Sequence, residues 1–100
     1  MTLDLRSRHR ELGTLDRALV ERRLRLALGR LLGARAVVRV RYDDQNGPRG
    51  GVDLRCRIRI VEGRLGPVDV EATEASVGLA TAKAAARAAR AIVRARERAA

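Results

Sequence analysis

The chain has no phenylalanine and no tryptophan, and Tyr42 is its only aromatic residue. A core built on aromatic rings is therefore excluded. So is a recognition surface that stacks successive bases on Phe, Tyr or Trp, the usual mode of proteins that read single-stranded RNA. Cys56 is the only cysteine and His9 the only histidine. No internal disulfide can form, and one thiol with one imidazole cannot make a structural zinc site. Proline stands only at positions 48 and 67, which leaves long stretches free for regular structure. No apolar run approaches the ~18 residues of a membrane span and no signal-peptide pattern opens the chain, so the expectation is a cytoplasmic protein that does not engage a membrane.

What is abundant is positive charge. There are 22 basic against 12 acidic residues, a formal net charge of +10 in 100 residues. All but one of the basic residues are arginine, Lys83 being the exception. Residues 1–50 hold 12 basic and 6 acidic groups and residues 51–100 hold 10 and 6, so the excess belongs to the whole chain and not to a tail. Such a balance favours a polyanionic partner. The length predicts a single domain over residues 1–100, with a core of Val, Leu, Ile and Ala.

Hydropathy patterning predicts the element order β-α-β-β-β-α. Leu3 and Leu5 alternate with Asp4 and Arg6 in a first strand over 2–8. Thr14 can cap a helix over 15–32 whose buried stripe is Val20, Leu24, Ala27, Leu28 and Leu31, with Gly33 as its C′ residue. Leu15, Leu19, Leu26 and Leu32 widen that apolar surface toward the sheet or a partner. A second strand, 36–42, turns Val38, Val40 and Tyr42 one way and Arg39 and Arg41 the other. Residues 43–52 are turn formers throughout. The third strand, 53–61, alternates Leu54, Cys56, Ile58 and Ile60 with Arg55, Arg57 and Arg59. After a connection over 62–67, a fourth strand, 68–73, turns Val68, Val70 and Ala72 inward and Asp69, Glu71 and Thr73 outward. Ser76 caps an alanine-rich helix over 77–97. The fold class is α+β, a four-stranded sheet with two helices on one face.

This parity gathers the charge. Arg6, Arg8, Arg39, Arg41, Arg55, Arg57 and Arg59 share the open face of the sheet, where seven like charges repel unless they meet phosphate. On the last helix Lys83, Arg87, Arg90, Arg94 and Arg98 recur at spacings of three and four and line one stripe. Exposed Asp69 and Glu71 interrupt the pattern and can pair with Arg55 or Arg57. Without aromatic platforms, recognition rests on backbone and shape, which suits a folded RNA.

Other constellations carry less. The loop Asn46-Gly47-Pro48-Arg49-Gly50-Gly51 lacks the Lys-Ser/Thr ending of a nucleotide-binding P-loop; it is a hairpin connection whose tip can bring Arg49 to RNA. Cys56 alternates inward and reads as a buried apolar residue. His9 has no third group to orient it for catalysis, and nothing fixes Asp43, Asp44 and Asp53 around a metal. No catalytic constellation, metal site or cofactor is expected, and the chain does not read as an enzyme.

Three segments resemble the ribosome hibernation-promoting factor / RaiA family. Leu19-Val20-Glu21-Arg22-Arg23-Leu24 is similar to its first-helix segment. Asp44 to Ile58, with Asn46-Gly47-Pro48-Arg49-Gly50-Gly51 and then Asp53, Cys56 and Arg57, resembles the loop and strand of one subgroup of short members. Val70-Glu71-Ala72-Thr73-Glu74-Ala75 resembles the entry into the final helix. The resemblance implies a partner in the small ribosomal subunit and its ribosomal RNA. It implies occlusion of the mRNA/tRNA channel and silencing of idle ribosomes under stress. The family's basic helix positions fall here on Lys83, Arg87, Arg90 and Arg94. Long members carry a C-terminal dimerisation domain, which these 100 residues do not include. Asp16, Gly78 and Thr81 depart from the family's usual residues and are expected to weaken the core. The alternative reading is a folded-RNA binder with no preference for ribosomes.

Overall fold

The computed structural model describes residues 1–8, 14–44, 53–63 and 65–99. Its elements are β1 (Thr2–Ser7), α1 (Thr14–Leu28), β2 (Val37–Asp44), β3 (Leu54–Glu62), β4 (Leu65–Glu74) and α2 (Val77–Ala99). The fold is α+β with the order β-α-β-β-β-α, as the patterning predicts. The strands lie in the order β1-β2-β3-β4. β1 and β2 run parallel, which requires the crossover that α1 supplies, and the other neighbours are antiparallel.

Inward residues from every strand meet both helices in one aliphatic cluster. Leu24, Leu28, Val38, Val40, Ile58, Ile60 and Ile92 are almost wholly buried around Tyr42. α2 contributes Ala80, Ala84, Ala85 and Ala88 to its buried face, and these small side chains bring its backbone close to β3 and β4. Ser76 caps α2 as expected, its Oγ accepting the Leu79 amide at 3.2 Å.

Three boundaries differ from the sequence reading. α1 stops at Leu28 and not at 32, because Gly29 opens a tight turn: a Cβ there would sit 2.5 Å from the Arg25 carbonyl oxygen, and the Leu31 and Leu32 amides both return to the Leu28 carbonyl. Gly33 is thus no C′ residue; its amide donates to the carboxylate of Glu62, whose other oxygen accepts from Arg96 at 3.0 Å. β4 begins at Leu65 and runs through Pro67, which an edge strand tolerates because one row of its amides is unpaired. Gly63, at φ +44°, supplies the left-handed backbone of the β3–β4 hairpin. β2 continues to Asp44, so Asp43 belongs to the sheet and not to a turn.

Thr81 does not weaken the core. Its hydroxyl donates to the Val77 carbonyl at 2.7 Å and lies 2.6 Å from the Tyr42 hydroxyl. Both side chains are buried, as is Cys56. Cys56 is inward and fully buried, as the alternation predicts, and burial pushes its thiol up to about 11. Burial likewise raises the Tyr42 phenol well above its ordinary value.

Candidate nucleic-acid interface

Strand register arranges the open face in rows. Asp4, Arg39, Arg59 and Asp69 follow one another across the sheet; Arg6, Arg41, Arg57 and Glu71 form the next row. Asp43, Arg55 and Thr73 form a third. The sheet therefore brings together Arg6, Arg39, Arg41, Arg55, Arg57 and Arg59. Arg8 follows β1 directly, exposed, with its amide donating to the Tyr42 carbonyl at 3.0 Å. Arg49 and His9 lie outside the described residues.

Asp69 and Glu71, which interrupt the basic pattern in the sequence, are joined on this face by two further carboxylates, Asp4 and Asp43. Asp4 has the same outward parity as Arg6, and Asp43 follows Arg39 and Arg41 at the next outward position of β2. Asp4 accepts from Arg41 Nη2 at 3.0 Å and from Arg6 Nε at 3.3 Å. Asp43 takes a two-point bond from Arg55, at 3.0 and 2.9 Å, and lies 3.7 Å from Arg57. Asp69 pairs with Arg59 at 3.1 Å and Glu71 reaches Arg55 at 3.9 Å. Seven arginines less four carboxylates leave +3 on this face. The acidic residues of β4 thus pair with Arg59 and Arg55, and not with Arg57.

These pairs differ in character. Asp43 is only 7% exposed, and its two-point bond is the fork geometry that fixes a guanidinium in orientation as well as distance. The hydrogen bonds that Arg55 donates to Asp43 raise the Arg55 pKa above its ordinary value. The Arg41 hydrogen bond holds the Asp4 carboxyl below its usual range. Arg41 also donates to the Asp4 and Val40 carbonyls, at 2.9 and 3.0 Å, so its head group is pinned over β1. Exposed Arg59–Asp69 is a surface pair of the kind that contributes little to stability.

α2 is different. Lys83, Arg87, Arg90, Arg94 and Arg98 are all exposed. Lys83 pairs with Glu74 at 2.6 Å, and Arg87 donates to the Glu71 carbonyl at 2.6 Å, which sets the stripe along the β4 edge. Arg90, Arg94 and Arg98 have no carboxylate partner among the described residues. The stripe covers about 22 Å of helix at 1.5 Å per residue. α1 adds exposed Arg17, Arg22, Arg23 and Arg25, and the turn after it adds Arg30. Leu19 and Leu26 are exposed beside an apolar cleft between α1 and α2, whereas Leu32 is buried.

Strand alternation puts Asp4 on the outward side with Arg6, but it does not show that Asp4 pairs with Arg6 and Arg41; Asp43, a turn former by sequence, was missed as a member of this surface. No described helix is long and apolar enough to cross a membrane, and among the described residues no group of three or more His, Cys, Asp or Glu could hold a metal ion.

No protein-family model matches the chain, and no curated protein does. The solved structures do match. The fold is the one found in hibernation-promoting factor proteins. It is shared with the N-terminal domain of Protein Y from Thermus thermophilus, at a TM-score of 0.76 and 22% identity over 94% of this chain and 98% of that one. It is shared equally with a ribosomal subunit interface protein from Coxiella burnetii, at a TM-score of 0.77 and 8% identity over 97% of this chain and 99% of the other.

Proposed function

We propose that this chain acts as one ribosome-associated RNA-binding domain. It docks on ribosomal RNA of the small subunit, occludes the mRNA/tRNA channel, and performs no catalysis. The observation that carries the reading is the run of Arg90, Arg94 and Arg98 on α2, without carboxylate partners among the described residues, beside a sheet of pre-ordered arginines, on the fold of a ribosomal subunit interface protein. Phosphate contacts of this kind fix register on a nucleic acid without reading its sequence. The single aromatic residue is buried, so base stacking does not compete with this mode.

The test is co-sedimentation of the purified chain with small subunits across a salt series, with bulk folded RNA as competitor. Binding should fall roughly 10³-fold or more between about 50 and 200 mM salt and survive excess bulk RNA. In a cell-free system the protein should then lower translation in proportion to occupancy. Equal competition by bulk RNA would replace this reading with a general folded-RNA binder. No binding at low salt would reject both.

A further inference from the structure

At the end of the sheet where β1 and β2 finish and β3 begins, the open face sinks into a hollow of about 360 Å³. Arg6, Arg8, Arg41 and Arg57 surround it, with Asp43 at its margin. Arg6, Arg41 and Arg57 are consecutive members of one cross-strand row. Three guanidinium groups lining one concavity would repel and splay apart if nothing held them. Here Asp4 holds Arg6 and Arg41 from one side, at 3.3 and 3.0 Å, and Asp43 stands 3.7 Å from Arg57 on the other. Both carboxylates bind the arginines from the flanks. Arg8 has no carboxylate partner among the described residues. The margin is electropositive, with four guanidinium groups against the two carboxylates, and Asp43 is already engaged in a two-point bond with Arg55.

We propose that this hollow is an oxyanion site that seats one phosphate group, with Asp4 and Asp43 as the residues that position its arginines. Beside Arg8, the binding groups that keep freedom to turn toward the anion are Arg57 and Arg6, their side chains being 49% and 72% exposed. Arg41 is the fixed wall, three of its donated hydrogen bonds already going to β1 and β2. The phosphate could be a phosphodiester of RNA or a free phosphate ion. The site deepens the functional reading above and rests on it only in expecting the RNA source.

The experiment is a titration of the whole chain with inorganic phosphate at neutral pH and constant ionic strength, followed by backbone amide and arginine Nε–Hε resonances. Wild type should show saturable shifts at Ser7, Arg8, Arg41 and Arg57. Arg57→Gln should weaken that binding about tenfold. Arg25→Gln, on the outer side of α1, should leave it unchanged. Asp43→Asn adds positive charge and should nevertheless weaken binding, because Arg57 loses its anchor. Non-saturating shifts spread over all exposed arginines, or tighter binding by Asp43→Asn, would overturn the proposal. A second arm adds a short single-stranded RNA. Displacement by phosphate at these same resonances identifies a phosphodiester as the occupant; RNA shifts that avoid them identify the free ion. Small-subunit binding is scored separately by sedimentation, so loss of the ribosomal reading leaves the phosphate titration intact, and the reverse.

Discussion

The Tyr42–Thr81 pair joins the sheet to the helix that bears the basic stripe, and its energetics can be worked from the geometry. Thr81 gives its proton to the Val77 carbonyl at 2.7 Å, so across the 2.6 Å contact Tyr42 is the donor. In Tyr42→Phe, Thr81 loses one incoming bond but keeps its acceptor, a loss of about 1 kcal/mol. In Thr81→Val the shape is kept, but a phenol that is 1% exposed loses its oxygen acceptor. That costs about 2 kcal/mol, the range for an unsatisfied buried donor. The double variant removes both polar groups and leaves nothing stranded, so it should cost about 1 kcal/mol and not the ~3 of the sum. Urea unfolding followed by circular dichroism reads this directly, since ~2 kcal/mol moves the midpoint by roughly 1 M at a typical slope. Additive single effects would refute the inference that the two hydroxyls depend on each other.

Further outcomes are expected. The double substitution Arg90→Gln with Arg94→Gln should lower the slope of log affinity against log salt by about 1.4 to 1.8 in small-subunit binding, as two fewer phosphates are neutralised; an unchanged slope takes this stripe out of the interface. Asp4 is held below its ordinary value of 3.8, first by the Arg41 hydrogen bond, so its stabilising contribution is complete above that value and disappears as pH falls below it. Thermal melts should therefore separate wild type from Asp4→Asn at pH 7 and bring them together as the pH is taken well below 3.8; a constant gap would contradict the pairing. The buried Cys56 thiol, raised from 9.0 to about 11, keeps its proton in the folded state when the unfolded chain would release it. Stability should be whole below 9.0 and decline as pH rises toward 11, with slow labelling by a thiol reagent in the native protein at pH ~8 and fast labelling in urea. Rapid native labelling would place the thiol at the surface.

The strands were legible because each buries one face, and period-two alternation survives any uncertainty at the ends. The ends themselves were not. Asp43 and Asp44 are turn formers by local preference, yet Asp43 stands opposite Arg55 in the ladder, and that long-range bond outweighs propensity. Pro67 looked like a strand breaker until β4 proved to be an edge. Gly33 was the stop signal read from the sequence and Gly29 was passed over as helical; the close approach to the Arg25 carbonyl ends the helix at the earlier glycine. The arginine face was legible from parity, but its neutralisation was not, because which carboxylate meets which guanidinium depends on register. Asp69 faces Arg59, not Arg55 or Arg57. Thr81 read as a defect in an aliphatic helix since its partner lies 39 residues away on another element.

The interleaved carboxylates at first weaken the case for an RNA-facing sheet, since a phosphate arriving at Arg41 or Arg55 meets a cation already paired. The opposing consideration is entropy. An arginine free in solvent loses about 0.5–1.5 kcal/mol of rotamer freedom when a partner immobilises it; Arg55, donating twice to the Asp43 carboxylate, and Arg41, donating to the Asp4 carboxylate and two carbonyls, have lost that freedom on folding. Each held guanidinium retains donors that the carboxylate does not use, because it offers five and the fork takes two. In the function proposed above, the sheet would contribute geometry at a modest net charge, while Arg90, Arg94 and Arg98, with no carboxylate partner among the described residues, would contribute the long-range attraction that brings a polyanion in. A surface divided in this way should show strong salt dependence in its rate of association, arising from α2, and its preference for one RNA shape over another should arise from the sheet. Uniform charge over both surfaces would supply the first property without the second.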